Sequence, residues 1–121
     1  FREMYLAAVL PKLKYEDAAV MDAADVLKMA TTGGALAMGL SECMYVKEGQ
    51  FADLILIDLQ RPNMQPVHNL VKNLVYSGSK ENVKMTMVNG RILYENGEFF
   101  VGESPSEIYA KANEVTKRIT Q

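Results

Sequence analysis

Residues 83–100, VKMTMVNGRILYENGEFF, decide the fold class. Val83, Met85 and Met87 alternate with Lys84 and Thr86, which is the period of a half-buried strand. Asn89-Gly90 and Asn96-Gly97 each supply what a two-residue type I′ turn needs, because both central positions take positive φ. The pattern predicts a β-meander of three strands.

Upstream lies the stretch 49–77, GQFADLILIDLQRPNMQPVHNLVKNLVYS. Ala52 to Ile57 is apolar apart from Asp53 and too short for a helix, so it reads as a strand buried on both faces. Asn73 to Ser77 reads as a second short strand. Between them runs a loop with two prolines and the only histidine of the chain, His68. Loops at strand ends often carry chemistry, so this one is the first place to look for it.

Further out the period becomes helical. Phe1, Met4, Tyr5, Ala8 and Val9 form one stripe, and Pro11 either ends that helix or kinks its last turn. The chain starts inside the stripe, without an initiator Met or a capping residue. That predicts a piece cut from a longer protein, with processing of a short leader as the alternative. Asp22 is expected as an N-cap with Asp25 at N3, opening a helix whose apolar stripe is Val26, Met29 and Ala30. Thr31-Thr32-Gly33-Gly34 is expected to break it, and Ala35 to Met38 to form a further turn closed by Gly39. At the other end, Ser104-Pro105-Ser106-Glu107 has the order of a capping box with Pro at N1. Ile108, Ala112, Val115 and Ile119 then make a narrow stripe on the last helix.

The 121 residues suffice for one domain that buries about 65% of its unfolded surface. With 49% hydrophobic and 23% charged residues and a net charge of −2, the composition is that of a globular protein. It lacks the basic footprint of a nucleic-acid binder, and no apolar run reaches the ~20 residues of a membrane span. The single Cys43 excludes an internal disulfide and predicts a cytoplasmic setting.

The residue chemistry is sparse. One His and one Cys, 25 positions apart, cannot build a soft-metal site without carboxylates. His68 reads as a loop residue hydrogen-bonding near its prolines, the rival being a general base. Cys43 reads as a lone, partly buried thiol with no activating partner in sequence. Gly33-Gly34 lacks the flanking pattern of a phosphate loop. Asp53 and Asp58 fall on opposite sides of one strand and make a poor acid–base pair. Glu48, Glu95 and Glu98 sit at turns, solvated.

Three segments carry a likeness: MATTGGALAMGL (29–40), EGQFADLILIDLQRPNMQPVHNLVKNLVYSGS (48–79) and VKMTMVNGRILYENGEF (83–99). In order and spacing they resemble the C-terminal end of the metal-dependent amidohydrolase superfamily. The branch they resemble is that of chlorohydrolases and methylthioadenosine/S-adenosylhomocysteine deaminases.

The resemblance implies an α+β fragment: terminal helices of a (β/α)8 barrel, then the C-terminal strands of a composite β-sandwich, then a final helix. It sets the end of the barrel at residues 1–45, the sandwich share at 46–103 and the C-terminal helix at 104–121. It implies a hydrolase of C–N or C–Cl bonds in heterocycles whose divalent metal, zinc or iron, lowers the pKa of bound water towards ~7. The resemblance implies that the metal ligands, histidines after early and middle barrel strands and an aspartate after the last one, all precede Phe1; a barrel alone takes ~250 residues, so 121 are expected to be only part of the enzyme. Asp58 does not match the metal aspartate, and His68 matches a position read as structural.

No catalytic, cofactor-binding or metal-ligating residue is therefore assigned within the chain, which is expected to be inactive alone. Its expected partner is the remainder of its own enzyme, with self-association through exposed strand edges and no nucleic acid or membrane. Two rivals stand beside this reading. One is a free-standing β-rich binding or self-association module. The other is an independent enzyme built around His68 and nearby carboxylates.

Overall fold

The computed structural model describes residues 1–120 and shows an α+β arrangement. Helices α1 (Arg2–Tyr15), α2 (Ala23–Lys28) and α3 (Gly34–Ala37) precede strand β1 (Leu54–Ile57). Helix α4 (Leu70–Ser77) follows, then β2 (Val83–Val88), β3 (Arg91–Glu95), β4 (Glu98–Phe99) and helix α5 (Pro105–Ile119). Among the described residues no helix is long and apolar enough to cross a membrane.

The meander is present as expected. Strands β1-β2-β3-β4 form one antiparallel sheet in sequence order. Asn89 and Gly90 have φ of 48° and 74°, and Asn96 and Gly97 have 47° and 99°, so both turns use left-handed residues at both centres. Each joins a strict two-residue hairpin, Val88 facing Arg91 and Glu95 facing Glu98. One residue of β2, Lys84, bulges opposite Leu56/Ile57, which sharpens the local twist.

Three expectations about the elements are corrected. Residues 73–77 are not a strand but the end of α4. The helix begins at Leu70, where the Asn69 side chain accepts the Lys72 N–H at 3.0 Å as N-cap. Leu70, Val71, Leu74 and Val75 then share one face, with Val75 in the core; a five-residue window hid that spacing.

The Gly33-Gly34 pair does not break its helix. Both glycines take right-handed φ near −65°, and residues Met29–Gly33 widen into a π turn. The Thr31 hydroxyl donates back to the Leu27 carbonyl at 2.7 Å, and a Cβ on Gly33 would lie 3.1 Å from the Lys28 oxygen. The helix stops at Gly39, φ 72°, where it was expected to. Pro11, expected either to end α1 or to kink its last turn, sits inside the helix without ending it, and the helix runs on to a left-handed Glu16.

The third correction concerns β1. Ile55 and Leu56 are 51% and 54% exposed, so the strand is buried on neither face. The core explains why. It lies among the helices: Ala8 of α1, Ala23 and Val26 of α2 and Val75 of α4, with Met4, Met21, Leu27 and Val71 packed around them. Met29 and Ala30, expected on that stripe, point to solvent.

The last helix keeps its capping box, Ser104 accepting the Glu107 N–H while the Glu107 carboxylate accepts the Ser104 N–H. Yet every residue of α5 is exposed, its apolar stripe included. The whole chain exposes 9222 Å², against about 6,500 Å² for a compact monomer of this mass, and it buries nearer half than two-thirds of its unfolded surface.

Candidate functional site

Two clusters of titratable side chains form around the sheet. At its β1 end, Asp53 receives the Asn89 N–H from the β2–β3 turn and, on its other oxygen, the Cys43 thiol at 3.1 Å. The Asn89 amide, and after it the thiol, hold the Asp53 carboxyl below the usual carboxylate range. The Cys43 thiol is pushed up, first by donating to Asp53, then by desolvation and the charges of Asp53 and Glu42. A reactive cysteine needs the opposite field, so this thiol is a structural donor. Sequence reading missed its partner because Asp53 lies ten residues away, across a turn.

At the far end of β1, Asp58 keeps only 12% of its side chain exposed. It accepts the Gln60 N–H at 2.9 Å and faces Lys84 Nζ at 3.5 Å and Arg61 Nε at 3.6 Å. The Gln60 amide contributes most to holding this carboxyl below its ordinary range, with Lys84 and Arg61 adding to it against desolvation. Asp53 and Asp58 engage separate partners, as a five-residue spacing along a strand dictates. A carboxylate saturated by two cations and an amide is a clamp, poorly suited to accept a substrate proton.

The loop that raised the question of chemistry is held by asparagines. Asn82, 1% exposed, accepts from Asn63 Nδ2 at 2.8 Å and from the Ser79 N–H at 2.9 Å, and donates to the Asp58 carbonyl at 3.3 Å. Asn63 Nδ2 also reaches the Ser77 carbonyl at 2.7 Å. Asn73 donates to the carbonyls of Met64 and Pro66 at 3.0 and 3.1 Å, and Met64 is fully buried beneath. The Gln65-Pro66 bond is cis. This network fixes the 58–69 segment between β1 and α4, a strand-to-helix link. The Ser79-x-x-Asn82 spacing of a capping box was its one sequence signal.

His68 lies exposed on that loop, beside exposed Val67 and Asn69. Glu48, Glu95 and Glu98 are exposed at turns as expected. Among the described residues no three His, Cys, Asp or Glu side chains meet in a way that could hold a metal ion. The donors present do not fit a zinc or iron site, which needs at least three such ligands at one point. A largely apolar hollow on the sheet is lined by Val83, Thr86, Leu93, Tyr94, Phe99 and Val101, together with the charged Lys80 and Glu81.

Comparison with known proteins follows the same lines. The sequence pattern of the amidohydrolase family matches residues 1–93. The 5-methylthioadenosine/S-adenosylhomocysteine deaminase 1 of Archaeoglobus fulgidus is 42% identical over 118 residues, which are 98% of this chain and 28% of that protein. The corresponding deaminase of Thermococcus onnurineus is 42% identical over 81% of this chain and 23% of its own length. In three dimensions the chain resembles a zinc-bound adenosine deaminase from Xanthomonas campestris, with TM-score 0.91, 30% identity, and coverage of 98% of this chain and 27% of that one. It also resembles the zinc complex of atrazine chlorohydrolase from Arthrobacter aurescens, with TM-score 0.82, 25% identity, and coverage of 93% and 25%. The chain thus spans under a third of the length of each of these relatives.

Proposed function

Because the chain belongs to the amidohydrolase family, we propose that it is the C-terminal, scaffolding share of a metal-dependent hydrolase acting on heterocycles. The bond cleaved is C–N, with release of ammonia, and C–Cl is the second option. One observation carries the reading: the likeness to the deaminase runs through 98% of this chain yet 28% of that relative. A divalent metal and its ligands then belong to the remainder of the enzyme. The zinc in the two solved neighbours supports that metal dependence.

In this reading residues 1–45 are the last barrel helices, 46–103 a share of a composite β-sandwich and 104–121 a closing helix. The remainder of the same enzyme covers apolar faces that contribute to the 9222 Å² this chain exposes in all. The carboxylates and asparagines hold turns and loops, and none of them touches substrate. A cytoplasmic setting belongs to the proposal, supported by the free thiol of Cys43. The rival of a free-standing module explains the exposed edges equally well, but it leaves the 42% identity to a deaminase without a purpose.

The test is to purify the product of the whole natural gene and assay ammonia release from 5-methylthioadenosine and S-adenosylhomocysteine. The expected result is turnover that is lost on chelation and restored by zinc. A product of about this chain's mass, inert towards both with zinc present, would favour the module.

A further inference from the structure

The turn between α1 and α2 is built around one positive charge. Lys12 Nζ, reaching from the last turn of α1, donates to the carbonyls of Ala18 at 2.9 Å, of Val20, and of Met21 at 3.1 Å. An ammonium has three N–H donors, and all three are used on backbone oxygens of one short loop. Two residues of the loop are left-handed: Glu16, φ 52°, which caps the end of α1 with its N–H on the Lys12 carbonyl, and Met21, φ 57°. An unbranched non-glycine residue enters that region only when its surroundings hold it there. The Asp17 side chain fixes the loop from within by accepting the Ala19 N–H at 2.8 Å. Residues 16–27 carry Glu16, Asp17, Asp22 and Asp25, flanked by Lys14 and by Lys28, which pairs with Asp25 at 3.6 Å. The loop is coupled to the core, because Met21 packs against Ala8, Ala23, Val26 and Val75.

We infer that the α1–α2 loop is a carbonyl cage for a single monovalent cation, filled in the native chain by the Lys12 ammonium. When that side chain is removed, the cage takes a free ion of ammonium size. The ligand class is a primary alkylammonium or potassium ion, and the cage's work is to hold Met21 against the helical core.

The experiment uses the product of the natural gene with Lys12→Ala and Lys12→Met, melted at constant ionic strength. The salts are choline, lithium, potassium and n-propylammonium chloride. In choline chloride Lys12→Ala melts several degrees below the wild type. n-Propylammonium, which replaces the missing stem and charge, restores most of that loss with saturation. Potassium restores part of it, and lithium and choline none, while the wild type responds to none of them differently. Lys12→Met, which keeps the apolar stem and drops the charge, also melts lower, so the cage stays testable if Lys12→Ala fails to fold. A Lys12→Met protein melting with the wild type would overturn the inference. So would absence of rescue by both cations, or an equal response of the wild type.

Discussion

At the residue scale the informative side chains are those whose polar atoms are fully used. Asp58 accepts an amide and faces two cations, which stabilises its charged form in the folded chain more than in the unfolded one. Its folded pKa is lowered, so its contribution to stability is complete above the unfolded value of about 3.9 and is lost as pH falls below it through the folded value. Asp58→Asn should therefore flatten the acid side of the stability profile and lower the stability at neutral pH. Urea midpoints of both proteins between neutral and strongly acidic pH check this. Parallel acid limbs would mean that Asp58 is not one of the groups whose protonation unfolds the chain. The Asp53–Cys43 contact was illegible in sequence for a simple reason. A hydrogen bond across a turn leaves no periodicity, and the Asn82 network likewise joins residues 19 and 24 positions apart.

At the element scale local chemistry carried furthest. The two Asn-Gly turns, the Asp22 cap, the Ser104 capping box and the Gly39 stop were all legible, because each depends on a few adjacent residues. Gly90 tests the strongest of these. With φ of 74° and nothing within 4 Å of a built Cβ, Gly90→Ala meets conformational strain alone. The expected cost is about 1–2 kcal/mol, that of a side chain in the left-handed region, read from chemical denaturation with the sheet intact. A neutral outcome would mean that the turn changes type without cost. What failed at this scale failed for physical reasons. The α4 helix was misread because its cap, Asn69, lies outside the short apolar run. Gly33-Gly34 was misread because glycine permits a break without requiring one. The strand at 54–57 was placed correctly, but its burial depends on what packs against it, which local sequence does not record.

At the scale of the whole molecule the resemblance did what composition could not. One His, one Cys and scattered carboxylates pointed away from catalysis, and the structure brings no three of them together among the described residues. Family membership rests instead on the amidohydrolase pattern over residues 1–93. The excess of exposed surface is the physical signature of the same situation, since apolar faces on α1, β1 and α5 are left without neighbours. The central claim is that this portion supports a site without entering its chemistry. His68 is the chain's only histidine, the residue type most often used as a general acid or base. The most direct measurement is kcat for the proposed ammonia release by the zinc-loaded product of the natural gene, with and without His68→Ala. The account predicts an active wild type and a variant within about twofold of it, whereas a loss of roughly 10²–10⁴, the contribution of a general acid–base group, would contradict it.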